Sequence, residues 1–181
     1  MIFVSVLLFC LLSVEAAVPC SSNPSPSSPC VSSPTSATAV ALQFYEPFTS
    51  GNQSVYNTIL DLNWVDEPLN PGQTVGRCPF FGVIDFFQAS FGPLAIQVIE
   101  TIVEKKDTKF KVVVRGVASG NYIGNGLFFG LPAANQPFTY RFVDVHTVKC
   151  GVITHTQHLE DLLGVALQVG ACAHQLQCGK K

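Results

Sequence analysis

The chain has 181 residues, of which 48% are hydrophobic and 12% are charged, and its formal net charge at pH 7 is −2. That length suits one domain of ordinary size, and the charged fraction is about half of the ~25% usual for soluble proteins, which excludes disorder of the whole chain. The near balance of basic and acidic residues leaves no strongly basic face, so no nucleic-acid partner is expected.

The N-terminus is typical of a secretory signal. Residues 2–12, IFVSVLLFCLL, form an apolar run of signal-peptide length that is too short to span a bilayer. Small residues at Val14 and Ala16 favour cleavage after Ala16, which predicts a signal peptide over 1–16 and a secreted, extracellular protein. The alternatives are a membrane anchor or a buried helix. No later apolar run approaches transmembrane length, so no membrane association is expected after cleavage.

Cleavage after Ala16 leaves six cysteines, and an even number in an oxidising compartment indicates disulfides. The absence of a C-x-x-C motif makes metal ligation a weak interpretation, and the even count argues against a catalytic thiol. Sequence proximity favours two local pairs and leaves one long-range pair. The predicted pairs are Cys20–Cys30, Cys172–Cys178 and Cys78–Cys150.

The chain divides into segments by composition. Residues 18–38 are dominated by Pro and Ser, which predicts a linker over 17–38, a folded domain over 39–171 and a tail over 172–181. Asn52 opens the only acceptable N-glycosylation sequon, so a glycoprotein is expected.

Hydrophobic spacing predicts three helices and then a sheet. The helices are expected over 39–48, with Ser36 as its cap, over 55–62 and over 80–91. The strands are expected over 94–105, 110–119, 137–148 and 152–159, with a hairpin turn at 150–151 and a last short segment over 162–170. Helices followed by an antiparallel meander predict an α+β domain, with the helices packed on one face of a curved sheet.

The predicted hairpin concentrates polar residues on one face of the sheet. With a two-residue loop, Lys149 faces Val152, and the register puts His155 opposite His146 and Gln157 opposite Asp144. Alternation then places five polar residues together. They are Asp144, His146, His155, Gln157 and Asp161. The pattern leaves open whether this face or the opposite face, with Val143, Val145 and His158, is buried.

If the polar face is buried, it predicts a site for a small apolar molecule. An apolar pocket with a few convergent polar groups is typical of small-ligand sites, and an Asp held there has a pKa raised toward the range of a general base. His155 and His158 point to opposite faces of a strand, so no metal ion is expected between them.

Several motifs together resemble a known family. The stretch from Lys111 to Ala171 contains KVVVRGVASG, FFGLPAANQ, FVDVH and HLEDLLGVALQVGA, and FYEPFTSGN and LNWVDEP lie upstream. These motifs resemble the SnoaL-like polyketide cyclase (ester cyclase) family of the nuclear transport factor 2-like superfamily. The resemblance implies a cystatin-like α+β cone over 39–171 with three N-terminal helices on a curved antiparallel sheet. It also makes a homodimer through the outer face of the sheet the expectation.

The resemblance implies roles for particular residues. Asp161 matches the Asp that acts as general acid/base in the family's intramolecular aldol ring closure, and His146 matches an assisting His, with no metal or cofactor required. The substrate-binding residues are expected to be Tyr45, Asn63, Trp64, Asp144, His155, Gln157 and His158. The sequence departs from the family at Glu67, where a His is common, and at His155-Thr156-Gln157, where Glu-His-Trp is usual.

Three functions from different classes follow. The first is a cofactor-independent cyclase or isomerase that uses Asp161 on an apolar polyketide-like or ester substrate. The second is a secreted protein that binds a small apolar ligand in the same pocket without chemistry. The third is an extracellular structural or interaction protein that acts through its Pro/Ser-rich segment. The ranking of these three functions rests mainly on analogy with the fold of the family.

Overall fold

The computed structural model describes residues 20–21, 33–70, 72–124, 128, 130–131 and 135–170. The predicted signal peptide and C-terminal tail, and most of the predicted linker, lie outside these residues. Within them, no helix is both long enough and apolar enough to cross a membrane.

Two short helices open the domain instead of the one predicted over 39–48. Helix α1 (Pro34–Gln43) begins inside the predicted linker, and its cap is Ser33, whose hydroxyl accepts a hydrogen bond from the backbone N–H of Ser36. Helix α2 (Glu46–Ser50) follows after a break. Pro47 has no N–H for an intrahelical bond, which explains why a single helix does not run through this segment.

The predicted helix over 55–62 is mostly wrong. A 3-10 turn (Gln53–Val55) and a single helical turn, α3 (Tyr56–Ile59), lead directly into strand β1 (Leu60–Glu67). Strand β1 pairs in parallel with β5 (Val152–Glu160), which lies about ninety residues later in the chain. Such a distant partner leaves little local signal, and a short apolar run fits a helix or a strand equally well.

Helix α4 (Arg77–Phe91) confirms the third predicted helix and supplies much of the aromatic core. Its buried side chains recur three or four residues apart, which directs one stripe of the helix toward the sheet. The stripe consists of Phe80, Phe81, Ile84, Phe87 and Phe91.

The remaining strands form the predicted meander. They are β2 (Ala95–Lys106), β3 (Lys109–Tyr122), β4 (Gln136–Lys149) and β5, and a short helix, α5 (Leu162–Gln168), follows. The strand order is β1-β5-β4-β3-β2, with antiparallel pairing between all neighbours except β1 and β5. The result is an α+β cone in which helices pack on the inner face of a curved sheet, as the sequence predicts.

One extra residue in β5 sets which side chains face the core. Lys149 pairs with Val152 as predicted, but the register shifts by one residue, so that Thr147 pairs with His155 and Thr154 has no partner position. Such a bulge reverses the facing of every later residue in the strand, because side chains alternate with a period of two.

A disulfide ties the N-terminal segment to helix α4. Cys20 is bonded to Cys78, 58 residues later, and the Arg77 guanidinium next to Cys78 donates a hydrogen bond of 2.6 Å to the carbonyl oxygen of Ser21. The predicted Cys20–Cys30 and Cys78–Cys150 pairs are therefore wrong, since short spacing along the chain does not measure distance in the fold. Cys150 is also disulfide-bonded. The other cysteines lie outside the described residues.

We expect the variant Gly116→Ala to be destabilised by about 1–3 kcal/mol. A Cβ at Gly116 would lie 2.6 Å from Cε1 of Phe142 and 2.7 Å from the carbonyl oxygen of Gln97, so the sheet has no room for it. Gly82 is the matched control, because it is exposed in helix α4 and a Cβ added there would meet no atom within 4 Å. Gly82→Ala should gain about 0.5–1 kcal/mol by helix propensity. Urea unfolding measures both, and equal effects would contradict the packing argument.

Candidate active site

The inner face of the sheet, the turn between α1 and α2, and helices α2 and α4 line a small inner cavity. Its volume is about 30 Å³, which is room for one or two water molecules. Its wall is mostly aromatic and aliphatic, but six polar side chains other than tyrosines reach it. These are Asp66, Asn70, Asp144, Thr156, His158 and Glu160.

A larger outer groove adjoins this inner cavity. The groove has a volume of about 590 Å³ and runs between helix α4 and Leu162 at the start of α5. Asn70, Val83 and Phe87 line both spaces, so the groove and the inner cavity share a wall. Its size lies within the ~300–1,000 Å³ usual for small-molecule sites, and its walls are mainly apolar.

Like Asp66, Asp144 is a buried carboxyl group of the cavity. Its Oδ2 accepts a hydrogen bond of 2.6 Å from the Tyr45 hydroxyl, whereas its Oδ1 is buried without a hydrogen-bond partner among the described residues. Burial raises the pKa of Asp144 to about 7 against the lowering effect of the Tyr45 hydrogen bond, and the charges of Glu160 and Asp66 add to the rise. The carboxyl group can therefore gain or lose a proton near neutral pH.

A chain of buried hydrogen bonds leads to Asp144. The Trp64 indole Nε1 donates to Thr156 Oγ1 at 3.1 Å, Thr156 Oγ1 lies 3.0 Å from His146 Nδ1, and His146 Nε2 lies 3.2 Å from the Tyr45 hydroxyl. Tyr45 has one hydroxyl proton and donates it to Asp144, so His146 donates through Nε2 and accepts from Thr156 at Nδ1. This needs a neutral imidazole, and burial lowers the pKa of His146 to about 3.

His158 lies between two carboxylates at the same cavity, and it is the direct partner of Asp144 in the pairing of β4 with β5. Its Nε2 is 3.5 Å from Oδ1 of Asp66, its Nδ1 is 3.7 Å from Oε2 of Glu160, and Nε2 donates a 2.7 Å hydrogen bond to the carbonyl oxygen of Pro68. Burial raises the pKa of Asp66 to about 6, although His158 and the amide of Gln73 lower it.

The structure brings five of the nine sequence-predicted site residues to the cavity or to the hydrogen bonds behind it. These are Tyr45, Trp64, Asp144, His146 and His158. It leaves four outside. These are Asn63, His155, Gln157 and Asp161. His146 is fully buried and contacts Tyr45 and Thr156 rather than the cavity, so it is placed to orient other groups.

Asp161 does not lie on the same face of the sheet as Asp144, so the prediction that groups these two residues is wrong. The residue is exposed and caps helix α5, where its Oδ1 accepts a 2.8 Å hydrogen bond from the backbone N–H of Gly164. The bulge at Thr154 is the physical reason, because it turns positions 156, 158 and 160 inward in place of 155 and 157.

His155 and Gln157 lie on the outer side of the strand, where both contact Glu67. Their Nε2 atoms are each 3.0 Å from Oε2 of Glu67. The hydrogen bonds from Gln157 and His155 lower the pKa of this exposed carboxylate. Glu67, His155 and Gln157 are positions at which the sequence departs from the family pattern. In this protein they contact one another on the outer side of strands β1 and β5.

Sequence reasoning missed Asp66, Thr156 and Glu160. Asp66 stands two residues after Trp64, and Glu160 stands two residues after His158, so each shares a strand face with a residue that was identified. Recognition of β1 as a strand would have found Asp66. Thr156 and Glu160 require the bulge, for which the sequence carries no distinct signal.

The chain matches the model of the SnoaL-like polyketide cyclase family over residues 39–169. It belongs to this family. The match covers most of the described cone, including the inner cavity. A comparison with curated proteins finds no match.

Solved structures of similar proteins have the same fold. TsrD from Streptomyces laurentii is 22% identical, with a TM-score of 0.67 over 78% of this chain and 99% of its own. IdmH from Streptomyces antibioticus, a proposed polyketide cyclase, is 23% identical, with a TM-score of 0.63 over 74% and 97%. A proposed SnoaL-like polyketide cyclase from Jannaschia sp. CCS1 is 20% identical, with a TM-score of 0.64 over 78% and 97%. At these identities the likeness shows the nuclear transport factor 2-like cone.

Burial of Asp144 should make the stability of the protein depend on pH. A carboxyl group whose pKa is higher in the folded state than its ordinary 3.8 stabilises the fold at low pH, and this contribution is lost as the pH rises to about 7. We therefore expect Asp144→Asn to gain stability relative to the wild type between pH 4 and pH 8, by on the order of 2–4 kcal/mol. Urea unfolding at both pH values measures this. A difference that is constant with pH would contradict it.

Proposed function

We propose that the protein catalyses, without a cofactor, an acid–base cyclisation or isomerisation of an apolar carbonyl compound, and that Asp144 transfers the proton. Membership of the SnoaL-like polyketide cyclase family supports the reaction class. The single observation that carries the assignment of Asp144 is its Oδ1, which has no hydrogen-bond partner among the described residues and is buried in an aromatic cavity that raises the carboxyl pKa to about 7. Asp161, to which the sequence assigns this role, is exposed and caps a helix.

In the proposed step, Oδ1 of Asp144 takes a proton from a carbon next to a carbonyl group. The C–H electron pair moves into the carbonyl to give an enolate, whose carbon then attacks a second carbonyl carbon of the same molecule. A carbon–carbon bond forms, and the new alkoxide takes the proton back from Asp144. Tyr45 keeps its hydrogen bond to Oδ2 throughout, since burial raises the pKa of its hydroxyl.

The two adjoining spaces support a substrate with an apolar body and a small reactive end. The outer groove of about 590 Å³ accommodates the body, and the inner cavity of about 30 Å³ admits only a few atoms without side-chain movement. A ligand of this shape places its reactive carbon near Asp144 and excludes water from it.

The test of the catalytic proposal is hydrogen–deuterium exchange at the acidic carbon of an aromatic β-keto ester, followed by NMR. We expect exchange above the buffer rate with wild type, a loss on the order of 100-fold or more in Asp144→Asn, and a rate that rises with pH to about 7 as Asp144 ionises. Asp161→Asn is the matched control, because Asn keeps a capping oxygen and should retain the rate. Equal losses in both variants, or no exchange with wild type, would overturn the proposal.

The small inner cavity favours one second candidate, a protein that binds an apolar ligand in the outer groove without chemistry. Such a ligand would not need to reach Asp144. Wild-type protein that binds aromatic ligands but leaves their exchange at the buffer rate would support this candidate over catalysis.

We also propose that the protein is secreted and that the mature chain begins at Ala17. The Cys20–Cys78 disulfide supports this, since disulfides persist in oxidising compartments. Expression of the full chain in a secreting eukaryotic host should yield medium protein whose intact mass starts at Ala17, and Ala16→Tyr should block that cleavage. Retention in the cell with Met1 intact would contradict the proposal. Glycosylation at Asn52 and the homodimer stay predictions.

A further inference from the structure

The proposed proton transfer gives no role to His158 of the inner cavity. The imidazole of His158 reaches the cavity, and only 15% of its side chain is exposed. Its Nε2–H donates a hydrogen bond to the carbonyl oxygen of Pro68. Its Nδ1 forms an ion pair with Oε2 of Glu160 at 3.7 Å, a distance longer than an ordinary hydrogen bond. Both residues line the inner cavity, so a ligand oxygen that binds Nδ1 replaces this long contact with Glu160.

The groups around His158 favour its charged form. Asp66 faces it from β1, Glu160 from its own strand and Asp144 from β4, while His146 behind Asp144 is neutral. Burial alone lowers the pKa of His158, but its interactions with Glu160 and Asp66, and with the Pro68 carbonyl, outweigh burial and raise the pKa to about 9. The cavity therefore holds an imidazolium at neutral pH.

The sheet register places this cation beside the proposed acid–base residue. Asp144 and His158 are direct partners across the β4–β5 pairing, and both line the inner cavity. Directly opposite residues on one sheet face have Cβ atoms about 4.5–5.5 Å apart. A carbonyl group whose neighbouring C–H contacts Asp144 therefore has its oxygen within reach of His158.

We propose that His158 is an oxyanion-binding residue, and that the inner cavity takes apolar ligands bearing an enolate or phenolate oxygen, which accepts a hydrogen bond from Nδ1 of His158. The role in turnover rests on the proposed function, because the enolate arises there. His158 keeps its protons throughout and stabilises charge, whereas Asp144 moves the proton. Anion binding itself requires no turnover.

The test uses 2,4-dinitrophenol as an ionised aromatic probe and 2,4-dinitroanisole as its non-ionisable analogue, at about pH 5.5, where Asp144 is protonated as it is when it faces an enolate. Wild type should bind the phenolate in preference to the anisole. In His158→Gln the phenolate should bind about tenfold or more weakly with anisole binding unchanged, since a charge-assisted hydrogen bond is lost. In wild type the preference should also weaken as the pH rises to about 7, because Asp66 and Asp144 then ionise beside the anion. No preference in wild type, or an unchanged preference in the variant, would overturn the inference.

Two further measurements separate this inference from the proposed function. An NMR titration of the His158 imidazole in the wild-type protein needs no variant, and a neutral ring at pH 7 would overturn the inference. Asp144→Asn should keep or strengthen phenolate binding, because a negative charge leaves the cavity, while it abolishes deuterium exchange. Loss of exchange without any phenolate preference would leave the proposed function standing and remove the role of His158. Phenolate preference without exchange in wild type would support the role of His158 in anion binding and overturn the proposed function.

Discussion

The buried hydrogen-bond chain from Trp64 through Thr156, His146 and Tyr45 to Asp144 constrains the fold and the site together. Its members come from β1, β5, β4 and the end of α1, so the bonds that hold these elements in place also fix the carboxyl group. Each link has one allowed direction, because the indole and the phenol have one proton each and the imidazole is neutral. The links from Trp64 to Oδ2 of Asp144 are all made, and satisfied buried hydrogen bonds favour a single arrangement of the core. Oδ1 of Asp144 is left buried without a hydrogen-bond partner among the described residues.

The aromatic packing around this chain gives Asp144 its chemistry. Phe44 lies against both the imidazole of His146 and the ring of Phe80, at centroid distances of 4.9 Å and 5.6 Å, and the ring of Tyr45 packs on Phe142. This shell excludes water and penalises a bare carboxylate, which raises the pKa of Asp144. The same penalty weakens the fold at neutral pH. The site therefore exchanges stability for a carboxyl group that titrates near neutral pH.

The sequence predicts what local pattern determines and misses what distant pairing determines. Helix α4 and the strands of the meander follow from their hydrophobic spacing, and Asp144 is recognisable as one of a polar set on β4. Strand β1 was missed because its partner lies at the far end of the chain. The sequence does not reveal the bulge at Thr154, because Thr154, His155 and Thr156 are all polar and fit the strand equally well with or without an extra residue. Because of this one extra residue, Thr156, His158 and Glu160 lie on the inner face of the sheet, where the prediction places His155 and Gln157.

In the proposed reaction, the corrected register lets a carboxylate and a cation on neighbouring strands act on the same ligand. Before proton transfer, the negative charge of the pair lies on Asp144 and the ligand is neutral. After transfer, Asp144 is neutral and the charge lies on the ligand oxygen, so the net charge of the cavity does not change. In a medium of low dielectric, creating charge is expensive, but moving it toward His158 is favourable. An outward carboxylate at Asp161 has no such partner across the sheet, and the position of His158 opposite Asp144 makes the inner face the place where this charge transfer costs least.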